Sequence, residues 1–525
     1  MQAADIDRRY RQGDGLTSDI AIPLYEDREG NVWAGTNLGL NSFRSSDVVP
    51  LEGVGLSPVA HYALSISTAG EVWLSYGGVL YRVEHGTPVA VVHGLADPSA
   101  IVATPGADVW FVAGDGLQRI RNGKPEPVAL PPGVDVWSID SMTGDRSGAL
   151  WASFSRHGVY RYLDGAWTAW HLGADAVRGA PVALASGRDG SLLLGYTDNT
   201  LVVAHGTHAE RFGTAEGLDV GAVTAITPEP DEVLIGGDTG LARLRDRRIA
   251  TLTQDRVSAL RGISGIVRAA DGMLWINTSA GIVRIAEEEL DRALSDPMHV
   301  VDYRLFDSQD GLKGVALQAS VSSTAGRDGD GRLWFATNQG VSSIDPHRIH
   351  RNHLPPPVII RSLVAGGRDY PAASGIELPK QTGNLRIRYT ATSLTVPERV
   401  RFRYRLEGVD DQWQDAGNRR EAFYTNLAPG HYRFRVIASN DDGVWNQQGD
   451  SVAFFIPPLF YQTRWFMGMS ILAGLAAIFA LCLLRLRQAA IRVHLRLEER
   501  HAERERIARE LHDTLLQATQ GLLLR

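Results

Sequence analysis

The stretch DREGNVWAGTNLGL, residues 27–40, contains a polar turn, a short apolar strand centred on Trp33, and a glycine turn before a second apolar strand. Seven later stretches repeat this pattern, and the spacings between their central positions are 40, 37, 41, 42, 41, 41 and 59 residues. Those positions are Trp73, Trp110, Trp151, Leu193, Leu234, Trp275 and Trp334. A period of about 40 with short strands and Gly/Asp turns is typical of a β-propeller with one four-stranded blade per repeat. We therefore expect a mainly β chain in which residues 1–350 form a propeller of seven or eight blades.

The repeated tryptophan has two interpretations. A residue at the same place in successive blades is expected to pack between blades, and we favour this over a role as a ligand platform. The Asp-Gly pairs before the strands are turn residues, because glycine adopts the positive φ that tight turns need. They lack the acid spacing of an EF-hand calcium loop. The long interval before Trp334 contains AEEELDRALSD, residues 286–296, which predicts a short helix.

The repeats resemble the two-component-regulator propeller repeat, whose pattern is roughly D-x-x-G-x-L-W-x-G-T-x-x-G-L. Residues 27–40 match it nearly throughout, whereas the repeats centred on Leu193 and Leu234 lack the tryptophan. Relatives with this repeat often carry two consecutive seven-bladed rings. The resemblance leaves open whether all the copies form one ring or whether the first copy is the remnant of a second ring.

A second β domain is expected after a proline-rich linker at residues 351–357. Residues 358–458 alternate between apolar and polar side chains, and about seven such segments predict a small immunoglobulin- or fibronectin-like β-sandwich. The runs YRLEGVDDQW and YTNLAPGHYRFRVIASN resemble the Y-Y-Y domain of the same sensors. We interpret the matching aromatic side chains as core and corner residues. They are Tyr404, Trp413, Tyr424 and Tyr432.

Residues 465–484, WFMGMSILAGLAAIFALCLL, form a run of 20 residues without a charge. As a helix this run crosses a hydrocarbon core of about 30 Å, and a buried core helix is the less favoured alternative. Four arginines follow the run before any acid appears, at positions 485, 487, 492 and 496, whereas Arg464 stands alone just before it. By the positive-inside rule we expect a single-pass protein of the inner (cell) membrane, with residues 1–464 extracytoplasmic and residues 485–525 cytoplasmic.

Composition narrows the classes of function. The chain has 53 basic and 60 acidic residues and a net charge of −7, so we predict no direct binding to nucleic acid. The single cysteine, Cys482, permits neither an intrachain disulfide framework nor a thiolate metal site. The histidines before residue 464 lack metal-ligand spacing, so we predict no metal site and no cofactor-binding residue in this chain.

The segment 485–504 predicts a coiled-coil signalling helix. Its apolar positions keep the 3.5-residue spacing of a parallel coiled-coil dimer. They are Leu486, Ala490, Val493 and Leu497. The same register places Arg500 and Arg504 on the seam, where two charges weaken the coil. We hypothesise that this weak patch lets a small rearrangement at the membrane alter the helix beyond it; a charged linker without a switching role is an equally weighted alternative.

The segment 505–525, ERIARELHDTLLQATQGLLLR, predicts a helix with one apolar face and begins an incomplete dimerisation and histidine phosphotransfer domain. His512 lies about 100° round the helix from Leu511, beside the apolar seam. From spacing alone, an ordinary surface histidine is the favoured interpretation. The string ELHDTLLQ, however, resembles the phosphoacceptor helix of sensor histidine kinases whose partner regulators carry LuxR/NarL-type DNA-binding domains. The motif H-D-x-x-x-Q falls on His512, Asp513 and Gln517.

This resemblance implies a role for each of the three residues. His512 would accept a phosphoryl group, Asp513 would orient and deprotonate the imidazole, and Gln517 would position the water that dephosphorylates the partner regulator. A neutral imidazole is a good nucleophile at about pH 7, and a neighbouring carboxylate fixes its tautomer. The implied partners are a second copy of the chain, a cytoplasmic response regulator, and an extracytoplasmic ligand for which relatives suggest a carbohydrate.

Kinase activity needs parts that residues 1–525 do not provide, so the activity of this chain is left open. No G-x-G-x-x-G or Walker-type loop follows the apolar run, and ATP and Mg²⁺ are expected to bind to a domain outside this sequence. Met1 is followed by no apolar leader, and we expect truncation at both ends, with a degenerate gene as the alternative. A rival function is a membrane-anchored propeller that binds or cleaves polysaccharide without phosphotransfer, its last helix serving only for dimerisation.

Overall fold

The computed structural model divides the chain into two units, residues 1–351 and residues 352–525. The described residues are 10–54, 62–96, 100–105, 108–114, 116–121, 123–171, 179–206, 208–317, 321–373 and 375–523.

The first repeat forms a three-stranded antiparallel sheet of its own. Its strands are β1 (Ala21–Glu26), β2 (Val32–Thr36) and β3 (Gly39–Phe43). Apolar side chains of β1, including Ile22 and Leu24, are exposed. The next strand, β4 (Val48–Pro50), leaves this sheet and pairs with residues 342–344.

Seven four-stranded antiparallel sheets complete the first unit within the described residues. Sheet 1 contains β5 (Ala63–Ile66), β6 (Val72–Tyr76), β7 (Val79–Glu84) and β8 (Thr87–Val92). Sheet 2 contains β9 (Ala100–Ala103), β10 (Val109–Ala113), β11 (Gly116–Arg121) and β12 (Lys124–Val128). Sheet 3 contains β13 (Ile139–Gly144), β14 (Leu150–Phe154), β15 (Gly158–Leu163) and β16 (Ala166–Trp170). Sheet 4 contains β17 (Ala183–Ser186), β18 (Leu192–Gly195), β19 (Leu201–His205) and β20 (His208–Phe212).

The remaining sheets follow the same order. Sheet 5 contains β21 (Val223–Pro228), β22 (Val233–Gly237), β23 (Gly240–Arg245) and β24 (Arg248–Thr253). Sheet 6 contains β25 (Gly265–Arg268), β26 (Leu274–Thr278), β27 (Gly281–Ile285) and, after a short helix, β28 (Arg304–Phe306). Sheet 7 contains β29 (Ala325–Arg327), β30 (Leu333–Thr337) and β31 (Gly340–Ile344), with β4 as its fourth strand.

The first strands of the seven sheets contact one another in a closed ring. β5 contacts β9, and the contacts continue through β13, β17, β21 and β25 to β29, which contacts β5 in turn. Because β4 pairs with β31, the start of the ring and its end share sheet 7, and this exchange closes a propeller-like arrangement. Seven and eight blades were both open from the sequence. The described residues of the first unit contain seven four-stranded sheets, with the first repeat in the separate three-stranded sheet.

The turn before each central strand has a specific chemistry where it begins with aspartate. The carboxylate of Asp328 accepts hydrogen bonds from the backbone N–H groups of Asp330 and Arg332 and, at 2.8 Å, from the indole N–H of Trp334. The same indole bond joins Asp27 to Trp33 and Asp145 to Trp151. Where serine, threonine or alanine replaces this aspartate, the buried indole nitrogen has no hydrogen-bond partner in the described structure. These tryptophans are Trp73, Trp110 and Trp275.

The repeated tryptophans pack onto the next sheet of the ring. Trp110 lies in one apolar cluster with Val136 and Leu150 of the neighbouring repeat, and its ring centroid is 5.2 Å from that of Tyr162. Trp275 and Trp334 are likewise almost fully buried. The favoured interpretation, packing between blades, is confirmed at the four buried positions, Trp73, Trp110, Trp275 and Trp334.

The helix predicted in the long interval before Trp334 is confirmed as α1 (Glu287–Ser295). Three glutamates in its first turn stabilise the start of the helix, because carboxylates interact favourably with the positive end of the helix dipole. Leu290 and Ala293 bury the inner face of α1 in the core of sheets 5 and 6. The buried Glu289 accepts hydrogen bonds from His299 and from the backbone N–H of Asp302.

The second unit begins with two sheets that share one core. A four-stranded sheet contains β32 (Val358–Ala365), β33 (Arg368–Pro371), β35 (Asn384–Ala391) and β38 (Glu421–Thr425). A five-stranded sheet contains β34 (Ile376–Glu377), β36 (Arg401–Glu407), β37 (Gln414–Gly417), β39 (Gly430–Ser439) and β40 (Trp445–Ile456), with β34 parallel to β40. Alternate residues of both sheets, such as Ile387 and Phe434, point into the same apolar cluster, so the two sheets pack face to face.

The four aromatic side chains predicted to be core and corner residues of this unit differ in their burial. Tyr404 and Tyr424 are buried, and the Tyr424 hydroxyl donates to Asp410 at 2.6 Å. The Tyr432 hydroxyl donates to the carbonyl of Ala428 and its ring packs against the core. Trp413 lies outside the core: it is 37% exposed, and the guanidinium of Arg435 lies 5.8 Å from its ring centroid.

The proline-rich linker is held against the second unit by hydrogen bonds. The Asn440 side chain donates to the carbonyls of Asn352 and Leu354, and the Asn446 side chain donates to the carbonyl of Pro356. Asp442 accepts from the backbone N–H of Asn352. The turn at residues 440–443 therefore fixes the incoming chain.

One helix, α2 (Arg464–Leu523), runs from the sandwich to the end of the described chain. It contains a strongly apolar window, and by length and composition this helix could cross a membrane. None of that window is buried in the structure. The predicted membrane span, coiled coil and phosphoacceptor segment therefore lie on a single uninterrupted helix.

Candidate functional site

The three predicted phosphotransfer residues lie on α2 and are exposed. His512 and Asp513 are adjacent, and Gln517 follows about one and a half turns further along. Ion pairs between Arg506 and Glu510 at 3.9 Å and between Arg509 and Glu505 at 3.7 Å precede them on the helix surface. The helix thus presents the imidazole to solvent, where a partner protein can reach it. The catalytic roles themselves stay predictions.

The apolar positions of the predicted coiled coil are unpartnered in the single chain. Leu486, Val493, Leu497, Ile507 and Leu511 are all exposed. Side chains of this kind at a 3.5-residue spacing are stable in water when a second helix covers them. A dimer through this seam stays a prediction.

The start of α2 is well defined. Thr463 accepts a hydrogen bond from the N–H of Phe466 through its hydroxyl, an N-cap interaction. The ring of Phe460 packs edge-on against those of Tyr461 and Phe466, at 5.4 and 5.5 Å. Aromatic side chains of this kind favour the membrane–water interface, and these lie where the apolar run begins.

A cleft of about 700 Å³ lies between sheets 3 and 4. Its walls are the turn at residues 145–147, the outer strands of sheet 3, and the turn at residues 186–191 of sheet 4. The half-buried rings of Trp151 and Trp170 meet at 89° with centroids 5.7 Å apart. Sequence reasoning did not predict this cleft.

The polar groups of the cleft are organised around Asp145. Its carboxylate accepts hydrogen bonds from the Trp151 indole N–H and the Ala149 N–H and forms an ion pair with Arg161. Burial alone would raise the pKa of Asp145, but hydrogen bonds from Ser147, Trp151 and Ala149 outweigh it and hold this pKa below its ordinary value. Arg161 lies 5.5 Å from the Trp151 ring centroid and donates to the Ser147 hydroxyl at 2.8 Å.

Sheet 4 carries a small residue at a position where the other sheets carry larger ones. In each sheet, the residue just before the central position of the second strand pairs with a residue on the third strand. In sheet 4 that partner is Ala204. In the other sheets the partner is Val83, Ile120, Tyr162, Leu244, Ile285 and Ile344. Ala204 is almost fully buried in an apolar cluster against which Trp151 packs, and Trp151 is half-buried, whereas Trp110 is covered by Tyr162.

Potential metal ligands do not cluster in the part of the chain that the structure describes. No group of three or more His, Cys, Asp or Glu side chains there is arranged to hold a metal ion.

Comparison with known protein families identifies one domain in the second unit. Residues 393–456 match the family model described as the Y_Y_Y domain. These residues include Tyr404, Tyr424 and Tyr432 of the sandwich. The chain therefore joins a propeller-like ring and a Y_Y_Y region to a long apolar helix, an architecture that suggests anchoring in a membrane.

Two known proteins are similar to this chain, one in fold and one in sequence. The extracellular domain of the proposed hybrid two-component system BT3049 from B. thetaiotaomicron has a similar fold, with a TM-score of 0.70 at 17% identity over 86% of this chain and 63% of that one. Histidine kinase P4 of Formosa agariphila is 23% identical over 258 residues, which are 47% of this chain and 18% of that protein. The chain thus spans less than a fifth of P4 and has a propeller and Y_Y_Y region like that of two-component sensors.

Proposed function

We propose that this chain is the sensing and relay part of a transmembrane two-component phosphorelay protein. The ring and the sandwich receive an extracytoplasmic signal, α2 carries it through the membrane, and His512 accepts the phosphoryl group. The group then passes to an aspartate of a cytoplasmic response regulator of the LuxR/NarL type. The likeness to the BT3049 extracellular domain and to histidine kinase P4 supports the sensor class.

The observation that carries this proposal is the continuity of α2. The apolar run and His512 lie on the same helix, and His512 is 48 residues beyond Arg464. At 1.5 Å per residue this is about 72 Å, of which the membrane takes about 30 Å. A rotation or tilt at the outer end is transmitted along an unbroken helix, whereas a loop would absorb it.

The arrangement of charges supports the proposed topology. Arg485 and Arg487 follow the apolar run at once, which favours the cytoplasm for the His512 end. Phe460 and Tyr461 precede it, as interfacial aromatic residues would on the outer side. Residues 1–464 would then be extracytoplasmic and residues 485–525 cytoplasmic, with α2 crossing the inner (cell) membrane.

The proposed chemistry of the relay uses three residues of this chain. His512 uses a ring nitrogen as the nucleophile, and the Asp513 carboxylate holds the tautomer and takes the proton. Gln517 orients water for dephosphorylation of the regulator. ATP, with Mg²⁺ neutralising the charge of its phosphates, would supply the phosphoryl group from a domain outside residues 1–525 and leave as ADP. A second copy of α2 would complete the dimer.

Phosphohistidine mapping tests this proposal. Membranes from cells that produce the natural protein should contain acid-labile phosphate on His512, and His512→Gln should remove it. His501→Gln is the matched control, because His501 is an exposed histidine on the same helix. The rival function, a propeller that binds or cleaves polysaccharide without phosphotransfer, predicts no phosphate at His512 in any variant.

A further inference from the structure

We propose that the segment of α2 just beyond the apolar run, residues 485–496, binds anionic phospholipid headgroups of the cytoplasmic leaflet. The proposal rests on the proposed function for its topology, in which this end of α2 lies in the cytoplasm. Its evidence is the charge, exposure and arrangement of four arginines, at positions 485, 487, 492 and 496. Guanidinium groups bind phosphate with two parallel hydrogen bonds, which is the chemistry that a phospholipid headgroup offers.

The four arginines form a block of positive charge that the chain does not neutralise. Residues 485–497 contain these four arginines and no acidic residue, whereas residues 498–510 contain five glutamates and four arginines. Within the described residues, none of the four guanidinium groups near the membrane has an ion-pair partner. Further along α2, Arg506 and Arg509 pair with glutamates. The net positive charge of the helix is therefore concentrated next to the membrane.

Distance along the helix places the arginines in and just beyond the headgroup layer. A hydrocarbon core of about 30 Å lies within a bilayer of about 40–45 Å, which leaves about 5–8 Å of headgroups on each side. At about 1.5 Å per residue, Arg485 and Arg487 lie about 2 and 5 Å beyond Leu484, the last residue of the apolar run. Arg492 and Arg496 lie about 12 and 18 Å beyond it.

The side chains of α2 point in the direction that favours contact with lipid. In an α-helix the Cα–Cβ bonds tilt toward the N-terminus, and for these arginines the membrane lies on the N-terminal side. Long arginine side chains therefore extend back toward the headgroups. Even Arg492 then lies within about one Debye length of the headgroup layer, about 8 Å at physiological salt.

The arginines stay accessible when a second helix covers the seam. The seam positions are Leu486, Ala490, Val493 and Leu497. At about 100° per residue, the four arginines lie about 90–130° round the helix from the centre of this seam. Two helices packed through the seam would leave the arginines on their flanks, facing lipid and solvent. The lipid-binding surface and the expected dimer are therefore compatible.

Electron paramagnetic resonance of spin-labelled lipids tests the proposal on the full chain. The chain is reconstituted in phosphatidylcholine vesicles that contain a trace of spin-labelled phosphatidylglycerol or of spin-labelled phosphatidylcholine. The motionally restricted fraction of each label measures its association with the protein. We expect phosphatidylglycerol to be favoured about fivefold. At 1 M NaCl, where the Debye length is about 3 Å, the preference should fall below about twofold.

Variants locate the surface on the helix. The triple variant Arg485→Gln/Arg487→Gln/Arg492→Gln should remove the preference for phosphatidylglycerol. Arg506→Gln/Arg509→Gln is the matched control, because these arginines are paired with glutamates and lie more than about 30 Å beyond the apolar run. This control should keep the preference of the wild type.

Three results would overturn the proposal. They are no preference in the wild-type chain, a preference that survives the triple variant, and an equal loss in the control. The first result would leave the arginines as determinants of topology alone. The salt dependence is measured on the wild-type chain, so it tests the charge contribution even where the triple variant does not fold.

The lipid-binding surface and the phosphorelay fail separately. A chain that does not enter the vesicles would contradict membrane anchoring and overturn both. A chain that enters them without a preference for phosphatidylglycerol would contradict the lipid-binding surface alone. A clear lipid preference without phosphate on His512 would support the surface and contradict the phosphorelay.

Discussion

Replacing Asp328 with alanine removes the acceptor at the centre of one repeat turn. The Asp328 carboxylate accepts from two backbone N–H groups, at 3.0 and 2.9 Å, and from the indole of Trp334. The backbone groups can turn to water after the substitution. The indole nitrogen cannot, because Trp334 is only 2% exposed.

The expected destabilisation follows from these contacts. A buried donor left without an acceptor costs about 1–3 kcal/mol, and the two turn bonds add about 1 kcal/mol after water replaces them. The total is about 2–4 kcal/mol. A unit of about 340 residues has an unfolding entropy of about 0.7 kcal/mol/K, so the melting temperature should fall by about 3–6 °C.

Differential scanning fluorimetry of the full chain in detergent measures this shift. Asp330→Ala is the matched control, since Asp330 is exposed in the same turn, and it should change the melting temperature by less than about 1 °C. The converse variant, Ala269→Asp, places a carboxylate six residues before Trp275, whose indole nitrogen has no partner. It should stabilise the ring. An Asp328→Ala protein that melts with the wild type would refute the reasoning.

Three further results are expected. Because hydrogen bonds hold the pKa of Asp145 below its ordinary value of 3.8 despite burial, its stabilising contribution is present above that value and lost as the pH falls below it; Asp145→Asn should flatten this part of a melting-temperature profile against pH. Copper-phenanthroline oxidation of membranes should link two chains through Cys482, which is exposed one helical turn before Leu486 of the seam, and a monomer on non-reducing gels would contradict the dimer. Replacing Arg500 and Arg504 together with leucine should change the phosphate on His512 in response to ligand; an unchanged response would leave these arginines as a charged linker.

The candidate sites differ in how much the sequence reveals. A continuous motif marks His512, because the three residues of the predicted phosphotransfer site lie within two turns of one helix. The cleft has no such motif. Its residues come from two repeats, and the packing of sheets 3 and 4 brings them together.

Several features of this protein follow from local patterns in the sequence. The 40-residue period, the Asp-Gly turns and the apolar run specify strands, turns and a long helix, because each depends on residues close together in the chain. Local patterns do not specify which strands share a sheet; the tertiary structure does. β4 leaves the first repeat to close sheet 7, and Trp413 lies on the surface beside Arg435. Both outcomes depend on contacts between residues far apart in the chain, and the burial of apolar surface across those contacts selects them.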